Sequence, residues 1–585
     1  MRQLLQSLWL HIGSRHRRQL YLLLGLMLLT AMLEVASIGA LFPFLAALTA
    51  PEKVFAHPLG RYFAEALGLL KPRELLLPIT GLFAVAIVIA GAMRLFLIWV
   101  QTNVSYAIGA DLALEVYRRT LHQPYLVHTS RNSSEVINGV YTKASGISSY
   151  VILPLVTLIS GFMLILAILL TLISVDPVVS LVALIGFAGI YVGVAMLTHR
   201  RLFRNSRQVA NEAGNVIRSL QEGLGGIRDV LLDRTQHVYC ESFRRADLSM
   251  RAAQINSTVI AQSPRFAVEA LGMLLVAVLA YKLAKTEGGI VAATPILGAL
   301  AFGAQRMLPV LQQCFQAWSA IRANQASLVD TLQLLNQPIS ESSQPQSLEP
   351  LPYRSSLKLD NIWFRYGPQA DWVLKGVSLD IPKGAKIGFI GVTGCGKSTL
   401  LDIVMGLLTP SQGQLFVDGR PLSEPALGRW QLHIAHVPQS VFLADSSIAS
   451  NIAFGVSAYD INMAEVKEAA RRAQLLETIE SWPQGFATSV GERGVRLSGG
   501  QRQRIGIARA LYKRADILVF DEATSALDSE TERAVMDAVE ALGPEITVLI
   551  IAHRLNTLSS CDKIVELSKG GIVRLGSYQE LLSGL

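Results

Sequence analysis

The sequence predicts a multidomain chain: an all-α membrane domain over residues 1–336, a linker over 337–354 and an α/β domain over 355–585. Three observations predict this division. Six long apolar runs all precede residue 315. A glycine-rich loop, Gly391-Val392-Thr393-Gly394-Cys395-Gly396-Lys397-Ser398, stands between an apolar strand pattern and a helical one. Of the 585 residues 51% are apolar and only 16% charged, values that fit a chain part membrane and part soluble.

The first domain is justified run by run. The apolar stretches lie at roughly 20–48, 77–100, 151–174, 177–197, 259–283 and 290–312. A bilayer core needs about 20 apolar residues per helix, and each run meets or approaches that length. Backbone groups in lipid must be satisfied internally, so all six are read as helices. The basic N-terminus (Arg2, Arg15, Arg17, Arg18) leads into the first run with no small-residue cleavage site, which predicts a retained span. Segments 101–150 and 198–258 carry Arg118, Arg119, Arg131, Arg200, Arg201 and Arg204, with further arginines in the second. Both segments are therefore expected in the cytoplasm, as are both termini, and Asp176-Pro177 becomes a tight turn on the outer side. The net charge of +8 sits mainly beside apolar runs, which favours a membrane over nucleic acid as partner. The two cytoplasmic segments keep helical periodicity and are too long for simple loops, so they are read as helical extensions. Cys240, Cys314, Cys395 and Cys561 lie far apart without metal-type spacing, which predicts free thiols and neither disulfides nor zinc.

The linker is rich in Ser, Gln and Pro and marks the boundary. From Leu357 short β-rich runs alternate with helical segments, as an α/β domain requires. Lys386-Ile387-Gly388-Phe389-Ile390 is the strand before the glycine loop, and a helix begins near Lys397. That context turns the motif into a phosphate cradle. Glycines let backbone N–H groups turn inward, and the helix N-terminus adds favourable partial charge. Lys397 is expected on the β- and γ-phosphates of a nucleotide and Ser398 on Mg²⁺, with Thr399 beside them. Asp521 ends the apolar strand Ile517-Leu518-Val519-Phe520, at the edge where α/β sheets bind ligands, and is expected to hold Mg²⁺. Glu522 is the candidate for polarising the attacking water. Tyr366, in Phe364-Arg365-Tyr366-Gly367, is expected to stack on adenine, the alternative being an aromatic packed on its own domain.

Leu497-Ser498-Gly499-Gly500-Gln501 follows the loop by roughly a hundred residues. With the phosphate loop and Asp521-Glu522 it resembles the ATP-binding cassette family, over about 230 residues at the C-terminus. The resemblance implies further roles. Gln439, in Val437-Pro438-Gln439, is similar to the glutamine that senses metal and water. His553, in Ile551-Ala552-His553-Arg554, is similar to the switch histidine at the γ-phosphate. Ser498, Gly499, Gly500 and Gln501 would cap the ATP held by a second copy, and Ser525-Ala526-Leu527-Asp528 would cross the dimer interface. One full motif set and one six-helix half imply a homodimer with two composite sites. A membrane half fused ahead of an ATPase half resembles the exporter branch. That implies alternating access, and short transverse helices near Pro124 to Glu135 and near Gly225 to Thr235 that touch the ATPase.

The cargo is read from charges inside the apolar runs: Glu34, Arg94, Arg265, Glu269 and Arg306. Each costs roughly 3 kcal/mol or more at the membrane centre, so each is expected to face protein or a cavity. Arg94, Arg265 and Arg306 fall toward the cytoplasmic half and would suit an anionic headgroup such as a phosphate or pyrophosphate. Internal pairing, as of Arg265 with Glu269 four residues on, is the other reading. The stretches Ser37-Ile38-Gly39-Ala40-Leu41-Phe42-Pro43-Phe44, Ser263-Pro264-Arg265-Phe266 and Arg306-Met307-Leu308-Pro309 resemble bacterial exporters that flip lipid-linked oligosaccharides. The expectation is ATP-driven flipping or export of such a lipid, or a similar anionic amphiphile, across the bacterial inner membrane, with the ATPase domain in the cytoplasm. A peptide, drug or other lipid is the alternative cargo. An ATP-gated, non-pumping channel or regulator is the alternative of another class, against which intact Glu522 and His553 argue.

Overall fold

The computed structural model describes all residues except 50, 67, 176, 285–288, 340–348, 523–527, 542, 553–557 and 583–585. Asp176 of the expected outer turn, Ser525 to Leu527 of the expected interface loop, His553 and Arg554 thus lie outside the described residues. The chain forms two compact units, residues 1–121 with 131–338, and 122–130 with 339–585.

The principal helices of the first half are α1 (Arg2–His11), α2 (Ser14–Thr49), α3 (Leu76–Leu121), α4 (Tyr125–Ser130), α5 (Leu153–Val175), α6 (Pro177–Gly225), α7 (Ile227–Leu232), α8 (Gln236–Ala284), α9 (Gly289–Ala323) and α10 (Gln325–Leu335). Each apolar run falls in one long helix: α2, α3, α5, α6, α8 and α9 in order, the third beginning two residues before α5. Among the described residues, Ser14–Leu48, Pro72–Leu121 and Ser134–Thr171 are long and apolar enough to cross a membrane. Large apolar side chains stay exposed there, including Leu22, Leu95 and Phe162. In water such surfaces would aggregate; in lipid they are the outer face. Pro43 lies within α2 and Pro264 within α8, a substitution membrane helices tolerate where neighbours satisfy the freed carbonyl.

The long helices run well past the apolar stretches. α6 and α8 pack against each other as one antiparallel arm, turned around by α7. On α7 only Val230 is buried, while Ile227, Leu231 and Leu232 are exposed. Between α4 and α5 the helix widens twice into i→i+5 turns, at Asn138–Ala144 and Ser148–Ile152. Gly109 of α3 lets the second widening approach closely, since a Cβ there would sit 2.5 Å from Ser148 Cβ. Leu8 and Ile12 at the N-terminus share a core with Leu328, Leu332 and Leu335 of α10.

The second unit is built on a six-stranded sheet. Its strands are labelled together with those of a smaller sheet: β1 (Ser356–Phe364), β2 (Leu374–Pro382), β3 (Lys386–Ile390), β4 (Gln412–Val417), β5 (Arg420–Pro421), β6 (Ile434–Val437), β7 (Ile517–Asp521), β8 (Thr547–Ile551), β9 (Lys563–Ser568) and β10 (Gly571–Gly576). The large sheet has the order β10-β9-β3-β8-β7-β6, parallel except for the β10 edge, and the small antiparallel sheet has the order β2-β1-β4-β5. β8 is buried along its whole length, as a central parallel strand covered on both faces must be. Phe389, Phe520 and Trp430 are fully buried and fill the layers against the sheet. α4 belongs to this unit: Leu126 packs against the core that contains Phe389 and Tyr353.

Candidate nucleotide site

The site forms where β3 and β7 end. β3 passes into the glycine loop, and Gly396 caps the helix α11 (Lys397–Val404). The loop needs glycine for two separate reasons. Gly391, Gly394 and Gly396 all have positive φ, at +141°, +83° and +102°. A Cβ on Gly391 would also lie 2.2 Å from Leu567 O, and one on Gly396 2.8 Å from Leu374 Cδ2. The loop is thus pressed against β9 on one side and β2 on the other, which leaves its amides for a ligand. Lys397 is buried, and its Nζ donates to Gly391 O at 2.8 Å and Val392 O at 3.3 Å, so the ammonium lies folded over the loop. Cys395 is buried beneath it, while Val392 and Thr393 face outward.

The acids come from β7. Ser398 Oγ lies 3.5 Å from Asp521 Oδ1, so one hydroxyl and one carboxylate oxygen converge, a pair suited to a hard cation. Burial first, with Glu522 nearby, pushes the Asp521 carboxyl above its ordinary value, opposed by Ser398, His436 and Lys397. Glu522 has φ +50°, a left-handed backbone that costs a non-glycine residue about 1 kcal/mol or more. Its amide is nonetheless fixed on Ile551 O at 3.1 Å. That turn swings the carboxylate toward Gln439, whose Nε2 donates to Glu522 Oε2 at 2.7 Å. Two sequence-nominated residues, 83 positions apart, are therefore in direct contact.

Tyr366 is half exposed, donates or accepts a hydrogen bond with Thr399 Oγ1 at 3.0 Å, and meets Phe364 edge to face at 5.0 Å. Its ring therefore stands beside the phosphate-loop helix and remains half exposed. Ser498 caps the helix α12 (Gly499–Tyr512): its Oγ accepts from Gln501 N at 3.2 Å, and Gln501 Oε1 accepts from Ser498 N at 2.9 Å. This reciprocal capping box holds an exposed helix N-terminus with the unpaired amides of Gly499 and Gly500 at the surface.

Two residues at the site escaped the sequence reading. Asp402, on α11, has its carboxyl pushed up to about 6, first by burial and then by Asp521. His436, on β6, is held below its ordinary value by burial, against the pull of Asp521. The available signal was a charge within the apolar run Leu400 to Val404, and it has no motif. Asp402 also raises the Tyr125 hydroxyl, after burial, which places α4 beside the loop helix.

The membrane-domain arginines divide. Glu34 is almost wholly buried and accepts from Arg306 Nη1 at 2.7 Å, with Arg94 Nη1 at 4.0 Å. Two guanidinium groups thus converge on one carboxylate beside a cavity of about 350 Å³ that Gln101 and Gln313 also line. Arg265 is not part of this cluster and pairs with Glu269 at 2.6 Å on an exposed face of α8.

Comparison with known proteins agrees with both halves. Residues 38–285 match the ABC transporter transmembrane region and residues 374–525 a second family model described as ABC transporter. An ATP-dependent lipid A-core flippase of Cupriavidus metallidurans is 31% identical over 83% of this chain and 81% of its own length. One from Alkalilimnicola ehrlichii is 35% identical over 69% and 68%, and one from Francisella tularensis subsp. holarctica 28% identical over 98% and 93%. A bacterial Atm1-family ABC exporter solved with ATP bound superimposes with a TM-score of 0.80 at 22% identity, covering 97% of this chain and 96% of that one. A helical membrane domain fused to an ATP-binding α/β domain, with ATP hydrolysis coupled to transport, identifies the chain as a member of the ABC transporter family.

Proposed function

We propose that this protein is an ATP-driven flippase or exporter of a lipid-linked oligosaccharide or similar anionic amphiphile, working as a homodimer in the bacterial inner membrane. The observation that carries the cargo is the convergence of Arg94 and Arg306 on buried Glu34 beside a cavity at membrane depth. An ionised group inside the bilayer needs a partner, and two guanidinium groups suit a phosphate or pyrophosphate headgroup. The relatives, flippases of lipid A-core, support an amphiphilic cargo and favour a second reading, a glycolipid of that kind.

The ATPase residues take the following parts. The amides from Gly391 to Ser398 and the Lys397 ammonium hold the triphosphate. Ser398, Asp521 and Gln439 would hold Mg²⁺, which when bound neutralises charge on the transferring phosphoryl group. Glu522, oriented by Gln439, positions the attacking water and receives its proton. Ser498 to Gln501 offer a helix N-terminus to ATP bound by the second copy, and His553 would complete that site. α4, docked beside α11, passes closure of the ATPase to the helices.

The test is ATP hydrolysis by the protein in liposomes, with and without a polyprenyl-pyrophosphate oligosaccharide. Stimulation that vanishes in Glu522→Gln and weakens in Arg94→Ala or Arg306→Ala supports the reading. Turnover that ignores this lipid but responds to lipid A-core moves the assignment to the second. Wild-type protein that binds ATP without turnover overturns both in favour of a gate.

A further inference from the structure

The membrane unit holds a second and larger cavity, about 650 Å³, between the widened turns before α5 and helices α6, α8 and α9. Its volume lies within the range of small-molecule sites. Its lining is unlike that of the arginine pocket. Amides and hydroxyls, among them Asn138, Gln254, Gln262, Gln316 and Ser319, alternate with small and aliphatic side chains such as Ala210, a mixed wall of the kind that takes the polar edges and apolar faces of a sugar ring. Lys143 is the one charged residue of the lining, and its ammonium is already paired with Asp330.

Two of the lining groups are anomalous. Asn138 Oδ1 and Ser319 Oγ are buried polar atoms without a hydrogen-bond partner, in side chains 2% and 1% exposed. A buried polar group left unsatisfied costs about 1–3 kcal/mol, so the wall of this cavity carries two polar groups that a side-chain rotation could turn toward an occupant. Asn138 also opens the first widened turn, and Tyr150 lies in the second. Such i→i+5 turns displace side chains from the regular helix face and recur at functional sites.

The chemistry of the lining selects its occupant. An amide offers a donor and an acceptor on one planar group, and a hydroxyl offers both on one atom. Sugar hydroxyls have that same dual character. A free phosphate would meet one cation here, Lys143, neutralised by Asp330, whereas the arginine pocket sets two cations against one carboxylate; an acyl chain would strand the amides. Position agrees. Gln316 and Ser319 lie on α9 beyond Arg306, which at the helical rise is roughly 15–20 Å along the axis. A lipid whose pyrophosphate meets Arg94 and Arg306 would extend its glycan toward this cavity.

We propose that this amide-rich cavity is a saccharide subsite that holds the uncharged glycan of the transported lipid. The inference rests on the lipid-linked reading above and adds a separate recognition element to it. The arginine pocket selects the charged linkage, and the cavity selects what is attached.

The experiment compares two lipids in proteoliposomes of the full-length protein: polyprenyl pyrophosphate bearing an oligosaccharide, and the same lipid without sugar. In the double variant Gln262→Ala/Gln316→Ala, half-maximal ATPase stimulation by the glycosylated lipid should need about tenfold more lipid, as expected for two lost hydrogen bonds, with the bare lipid unaffected. Arg306→Ala should weaken both responses. An equal loss on both lipids in the double variant, or no loss on either, overturns the subsite. A second readout stands apart from transport. Ala320→Cys, at the edge of the cavity, is labelled with a maleimide and quantified by peptide mass spectrometry. Millimolar chito-oligosaccharide should slow labelling at residue 320 severalfold, and inorganic pyrophosphate should not. Protection in a protein that ignores both lipids keeps the subsite and discards the lipid-linked reading. No protection by the sugar, or a residue closed to label by the second copy, overturns the subsite.

Discussion

The two units place charge in low dielectric by opposite means. In the α/β unit the charged groups stand at the ends of buried strands, on backbone bent to aim them: Glu522 at φ +50° and the loop glycines at positive φ. On the proposed function their partners are a ligand, a cation and a second copy. In the membrane unit the backbone is helical and cannot be bent that way, so charge is managed by long-range pairing, as of Glu34 with Arg306 across 272 positions. Strained local geometry marks the proposed chemical site, and distant pairing the proposed binding site. Substitutions that relax one device should leave the other intact.

The largest effect is expected at Glu522. Glu522→Gln keeps the shape and the contact with Gln439 while removing the carboxylate, so turnover should fall roughly a thousandfold or more with ATP binding retained. Single-turnover hydrolysis and equilibrium nucleotide binding measure the two sides, and loss of binding would refute the assignment. Next is the loop. Gly396→Ala meets both a positive φ and Leu374 2.8 Å away, whereas Gly394→Ala meets a positive φ alone. Both should weaken ATP binding, Gly396→Ala more, since backbone strain of about 1–3 kcal/mol is common to them and the clash is not. Equal affinities would show that the contact with β2 yields freely.

This contrast explains what could be read in advance. Gly391 to Ser398, Asp521-Glu522 and Ser498 to Gln501 are each contiguous, because the first two stand where a buried strand ends and the third at a helix N-terminus, so each is read from one short stretch. The six helices were legible because lipid demands length and apolarity. The partner of Arg306 was not legible, since the register between α2 and α9 is fixed by packing and not by spacing. Arg265 with Glu269 was legible, being a four-residue pair on one helix. Asn138 and the cavity it borders escaped notice because a widened helical turn leaves no mark in apolar periodicity.

Within the membrane unit the same contrast predicts graded stability. Glu34→Ala removes the buried carboxylate on which Arg306 and Arg94 converge and, both guanidinium groups being partly exposed, should destabilise by about 2–3 kcal/mol, read as a lower melting temperature in detergent. Glu269→Ala breaks a pair whose partners are half exposed and should cost no more than about 1 kcal/mol. Comparable losses in the two variants would mean that the Glu34 cluster is solvated.

The smallest effect is expected from Asp402, where the α/β unit tolerates an unpaired carboxyl. Its value is pushed up to about 6, by burial first and Asp521 second. The folded state therefore holds this proton more tightly than the unfolded chain does. Stability is highest below the ordinary carboxylate value, declines as pH rises toward about 6, and stays reduced above it. Asp402→Asn removes that penalty. In nucleotide-free protein with chelator present, the variant should be more stable near neutral pH by something on the order of 1 kcal/mol, after allowance for solvent screening. The gain should shrink as the pH is lowered toward about 5, because the wild-type carboxyl is then largely protonated. Thermal unfolding of both proteins across that range measures it. A gain that does not vary with pH would assign the effect to packing, and a loss would mean that the Asp402 carboxylate is held by a partner that Asn cannot replace.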